Sequence, residues 1–192
     1  MPRQKVTKEF VTHQALKIFR LQSYHKTTMA DIAHSCGLLK GSIYHYFSGK
    51  DDLMIAVMEY VHKFFKENIF IHAYDKELEP EERMKQMIAV AKKVYLGPEG
   101  GDLMGNIGLE TAHVNPEFSN PIRVFFKDYI RAFKAIYVER YPEDEAQRLA
   151  ELALSELQGA LVLSRILKKK DLFATVNNRL IDRLSNIQTT VW

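Results

Sequence analysis

The stretch TMADIAHSCGLLKGSIYHYFSGK, residues 28–50, decides the fold. Thr27 or Thr28 can cap a short helix whose inner face is Met29, Ile32, Ala33 and Cys36. Gly37 suits the left-handed residue that ends such a helix. A further helix is expected from about Leu39 to Phe47, with Ile43 and Phe47 facing inward. Lys40, Ser42, Tyr44, His45, Tyr46 and Lys50 then fall within eleven residues. A core helix has no use for so many polar and aromatic groups together.

The neighbouring segments extend the helical pattern. Val11, Ala15, Ile18 and Phe19 recur at helical spacing, which predicts a first helix over roughly 4–22. Beyond Gly49, Leu53, Val57, Tyr60, Val61 and Phe64 mark a long helix beginning at Lys50. Pro80, the glycine-rich loop at 97–101, Pro116, Pro121 and Pro142 divide the rest. Helices are expected at about 80–96, 103–113, 120–140, 143–168 and 172–190. Almost nothing has the alternation of a strand, so the fold class is all-α. A small three-helix head is expected over residues 1–49. A larger helical body follows over 50–192, joined through the helix that starts at 50.

Charge is divided unevenly between these parts. The 192 residues carry a formal net charge of +3, which on its own says little. Residues 1–50 hold eight Lys/Arg against only Glu9 and Asp31, whereas the remaining residues are net acidic. Such asymmetry marks the N-terminal end for a polyanion, with nucleic acid ahead of an anionic membrane surface. No apolar run reaches the length of a membrane span and the N-terminus is polar, so a cytoplasmic protein is expected. The single cysteine, Cys36, excludes an intrachain disulfide and a cysteine-cluster zinc site.

Two short helices joined by a tight glycine-containing turn form a helix-turn-helix, with the second in the major groove. On that basis Lys40, Ser42, Tyr44, His45 and Tyr46 project toward DNA while Ile43 and Phe47 hold the helix down. The amides near Thr28 and Met29 are candidate anion sites. Gly41 allows close backbone approach, and Lys50 is expected to contact a phosphate. The seven histidines show no metal-ligand spacing. No nucleophile elbow, Walker loop or dinucleotide fingerprint is present, so neither enzyme chemistry nor a cofactor is expected.

These residues also carry a resemblance. The run TTMADIAHSCGLLKGSIYHYFSGKDDL resembles the DNA-binding signature of the tetracycline-repressor (TetR) family, a likeness extending over residues 10–60. It implies a homodimeric one-component transcription regulator, usually a repressor, with an N-terminal three-helix helix-turn-helix DNA-binding domain over 1–49 and a larger ligand-binding and dimerisation domain over 50–192. Three positions depart from the signature. Ser23 stands for a turn glycine and Cys36 for an alanine. Leu39 stands where a serine normally caps the recognition helix and bonds a phosphate. The segments GDLMGNIGLETAHVNPEF (101–118) and SELQGALVLSRILKKKDLF (155–173) are similar to one branch. That branch contains the N-ethylmaleimide-reductase and lincomycin-resistance repressors. Its electrophile-responsive cysteine is replaced here by Asp102, so reversible ligand binding is the expectation.

For the ligand, an apolar pocket is expected from Tyr60, Phe64, Met104, Asn106, Glu110, His113, Phe126 and Tyr129. For dimerisation, Leu157, Gly159, Ala160, Leu161, Leu180 and Leu184 are expected to build a four-helix bundle about a twofold axis. The partners expected are double-stranded operator DNA, a small-molecule effector and a second copy of the chain, with no membrane. The rivals are an architectural DNA binder without an inducer, and a helical module using its basic head on membranes or proteins.

Overall fold

The computed structural model describes residues 6–97, 101–111, 115–169 and 171–185. Among them every regular element is helical, as the all-α reading expects. The α-helices are α1 (Lys8–Gln22), α2 (Met29–Ser35), α3 (Lys50–Asn68), α4 (Pro80–Leu96), α5 (Leu103–Thr111), α6 (Pro116–Tyr137), α7 (Glu143–Ile166) and α8 (Asp171–Ser185). Two 3₁₀ turns, Lys40–His45 and Phe70–Tyr74, complete the order.

The chain packs as two compact units, Met1–Lys63 with Glu99–Arg123, and Phe64–Pro98 with Val124–Trp192. α3 and α6 each supply residues to both units.

In the first unit, α1 begins where the Thr7 hydroxyl accepts from the Phe10 amide at 3.1 Å. It buries Val11, Ala15, Leu16 and Phe19 on one face. Ile32, Ala33, Ile43, Phe47, Leu53 and Val57 close the same core, each almost fully buried. A fully buried side chain such as Phe47 contributes about 1.5–3 kcal/mol.

The second unit is held by aromatic side chains. The Phe65 ring lies 5.7 Å from Phe70, 5.9 Å from Tyr95, 5.0 Å from Phe125 and 6.0 Å from Tyr129 between centroids. Tyr129 in turn stacks on Phe133 at 5.0 Å. Such pairs add about 0.5–1.5 kcal/mol each beyond area burial. Buried Arg83 is satisfied by the Leu78 carbonyl at 2.7 Å and by Glu139 at 3.3 Å.

Two expectations need correction. The segment after Leu39 is a 3₁₀ turn of six residues rather than an α-helix. Pro121 does not start a helix, because it lies inside α6, which begins at Pro116. Proline at the first helical position costs nothing, and one five residues on removes a single early hydrogen bond. The C-terminal helix begins at Asp171, and its expected extension beyond Ser185 lies outside the described residues.

Candidate nucleic-acid interface

The site is built from two end-stops and a turn. At the start of α2 the Thr28 hydroxyl accepts from the Asp31 amide at 3.2 Å, while Asp31 accepts from the Thr28 amide at 2.8 Å. This is a reciprocal capping box. The Thr28 hydroxyl also donates to Asp31 at 2.7 Å, and these two bonds hold its carboxyl below the ordinary carboxylate range. The Thr28 amide is thus already satisfied by Asp31. Met29 is buried in the core, so only its backbone remains on that surface.

The end of α2 explains Gly37. The Leu38 amide reaches the Ala33 carbonyl at 2.9 Å, and the Gly37 amide reaches His34 at 3.0 Å. That pair of bonds is a Schellman stop, which needs a residue with positive φ, and Gly37 has φ 67°. Leu39 then runs extended, with ψ 148°, into the 3₁₀ turn.

Ile43 and Phe47, both buried, clamp this turn to the core. Lys40, Gly41, Tyr44 and His45 are exposed and Ser42 is half-buried, so these five stand on the outer side of the turn. Tyr46 is different, because its hydroxyl donates to the Val6 carbonyl at 3.2 Å and ties the turn to the residue leading into α1. Lys50 is engaged as well. Its ammonium donates to the Tyr24 carbonyl at 3.1 Å and lies 4.3 Å above the Tyr24 ring.

Tyr24 is the residue that sequence reasoning missed. Its hydroxyl donates to Asp51, its amide donates to Glu110 at 3.1 Å, and its ring meets Phe118 edge-on at 5.3 Å. Asn115 donates to the other Asp51 oxygen at 3.1 Å. Burial first, and then the Asp51 carboxylate, push the Tyr24 phenol far above its ordinary value. The partners lie 27 to 94 positions away, so no local pattern announced them.

The expected ligand residues are distributed between the two units. Tyr60, Met104, Asn106 and Glu110 belong to the first unit, and Phe64, Phe126 and Tyr129 to the second. Glu110 serves Tyr24, Met104 is core, and His113 lies outside the described residues. Asp102 caps α5, accepting from the Gly105 amide at 3.0 Å. Within the second unit, Met87, Tyr129, Phe133, Leu157, Phe173 and Asn177 surround a cavity of about 10 Å³. That is close to the least space one water requires.

The expected dimer residues divide in the same way. Leu157, Leu180 and Leu184 are covered by the chain itself, as are Ala160 and Leu161. Gly159 is exposed, along with an apolar run of Val162, Leu163, Ile166 and Leu167 on and just past α7. Periodicity identified a buried face but not what buries it, and the free face is the adjacent one. Among the described residues no group of three or more His, Cys, Asp or Glu is placed to hold a metal, and no helix is long and apolar enough to cross a membrane.

Residues 11–57 match the tetR family of bacterial regulatory proteins, and residues 80–179 match the C-terminal domain of LmrA/YxaF-like transcriptional regulators. The HTH-type transcriptional regulator YxaF of Bacillus subtilis is 28% identical over 172 residues, spanning 85% of this chain and 87% of that protein. A TetR transcriptional regulator from Chloroflexus aurantiacus superposes with a TM-score of 0.80 at 24% identity, over 93% of this chain and 94% of the other. One from Legionella pneumophila gives a TM-score of 0.84 at 20% identity, over 94% and 98%.

Proposed function

Because the chain belongs to the tetR family of bacterial regulatory proteins and is a helix-turn-helix transcriptional regulator, we propose that it is a dimeric repressor released from its operator by a small apolar effector. The observation that carries the DNA-binding part is the outer side of the 3₁₀ turn. Lys40, Tyr44 and His45 are exposed there, on a turn fixed from beneath by Ile43 and Phe47. In this reading Lys40 contacts phosphate, and Ser42, Tyr44 and His45 reach backbone or base edges. The Gly41 backbone approaches the sugar-phosphate chain. Lys50 and Tyr46 position the turn rather than contact DNA.

Dimerisation through the exposed apolar side of α7 presents two such turns to one duplex. The operator is then a pseudo-palindrome with half-sites about one helical turn, ~34–36 Å, apart. An effector weakens binding only by preferring the wrongly spaced state, and a ~100-fold preference corresponds to about 2.7 kcal/mol of coupling. Since α3 and α6 supply residues to both units, they are the elements through which such a preference would act.

The test is selection of random duplexes by the full chain, followed by footprinting. Enrichment of a two-fold-related sequence supports the reading, and binding that never exceeds the non-specific level sinks it. The alternative is a family member that binds DNA without an inducer. A thermal-shift screen of small aromatic compounds, with operator titration of each hit, separates the two.

A further inference from the structure

The residue at the entry to the recognition turn does not behave as a cap. Leu39 is 80% exposed and makes no side-chain hydrogen bond to the turn it precedes. Only its backbone carbonyl takes part, accepting from the Ser42 amide at 2.9 Å. Leaving a leucine in water forgoes about 1.5–3 kcal/mol relative to burying it. Here that apolar side chain stands beside exposed Lys40, within residues 1–50, where basic residues outnumber acids eight to two. An exposed leucine in a basic field suits a polyanion that also offers an apolar group.

Leu39 runs extended into the turn, which buried Ile43 and Phe47 hold to the core. It stands at the turn's N-terminal end, the end at which recognition elements of this kind reach base edges. Of the four bases, only thymine presents an apolar group in the major groove, its C5-methyl. We propose that Leu39 is a specificity-determining residue that packs on a thymine methyl in each half-site.

The proposal rests on the DNA-binding reading above, so its test separates the two. Full-length protein is titrated against a duplex selected from a random library. Thymines of each half-site are then replaced singly by deoxyuridine, which removes the methyl and leaves every hydrogen-bonding group in place. One thymine per half-site is expected to lose about fourfold in affinity, the worth of one buried methyl. Leu39→Met should keep that discrimination and Leu39→Ala should bind both duplexes alike. Retained salt-dependent binding to unrelated DNA shows that the Leu39→Ala head is folded. Discrimination absent from the wild-type protein, or unchanged in Leu39→Ala, overturns the assignment while leaving DNA binding intact. If no duplex is selected at all, both readings fall together.

Discussion

The Lys50 ammonium lies 4.3 Å from the centre of the Tyr24 ring and donates to the Tyr24 carbonyl at 3.1 Å. A lysine that looks from sequence like a phosphate contact is thereby built into the turn between α1 and α2. A cation over an aromatic face contributes about 0.5–1 kcal/mol at a partly exposed site. Lys50→Ala should lower thermal stability by about that amount while leaving the salt dependence of DNA binding unchanged. Lys40→Ala should do the opposite, flattening the slope of log affinity against log salt by about one unit per head. Equal salt effects from the two variants would return Lys50 to the contact surface.

Acid should loosen α2 through Asp31. Its carboxyl is held below the ordinary value by the Thr28 hydroxyl and amide, so the folded state binds the proton less readily than the unfolded chain. The resulting stability is fully present above the unfolded carboxyl value, about pH 4, and is lost as pH falls through the lower folded value. Protection of the Ile32 and Ala33 amides, measured against their intrinsic exchange rates, should fall across that window in the wild type. Asp31→Asn should flatten the dependence, and a variant that keeps it would place the titrating group elsewhere.

Two helix stops make paired predictions. Gly37 has φ 67° with no atom within 4 Å of where a Cβ would stand, so Gly37→Ala suffers backbone strain without a clash. It should destabilise by about 1 kcal/mol. Lys168 has φ 54° at the end of α7, where the Lys169 amide reaches the Ser164 carbonyl at 3.1 Å. Lys168→Gly should therefore stabilise by about 1 kcal/mol in chemical denaturation, less whatever the freer unfolded chain takes back. A destabilised glycine variant would mean that the lysine side chain contributes more than its backbone costs.

The exposed side of α7 bears on assembly. Ile166 is 69% exposed although it belongs to an apolar run. Ile166→Glu should leave the circular-dichroism spectrum and monomer fold intact, while sedimentation shifts from dimer to monomer. A dimer that survives this change uses another face.

Much of this could be read from one dimension. Helices with several apolar turns, such as α1, α3 and α4, were legible within a few residues because burial repeats along them. The recognition turn was located but its winding was not. Two buried anchors, Ile43 and Phe47, are four residues apart, too few to tell a period of 3.0 from one of 3.6. Tyr24 and its partners depend on tertiary pairing, to which periodicity is blind. The leucines at 157, 180 and 184 show the same limit, since amphipathicity says that a face is covered and not by which chain.

Cys36, described above as an inward residue at the end of α2, has a practical consequence. It is the chain's only cysteine, it is buried, and burial pushes its thiol above the ordinary value. Thiol reagents act on the exposed thiolate, so at neutral pH the native protein is a quiet background. A cysteine introduced at Lys40 or Ile166 can then carry a spin label or fluorophore without any prior substitution. Paired labels at position 40 would report the distance between two heads, with and without DNA, in an otherwise native chain.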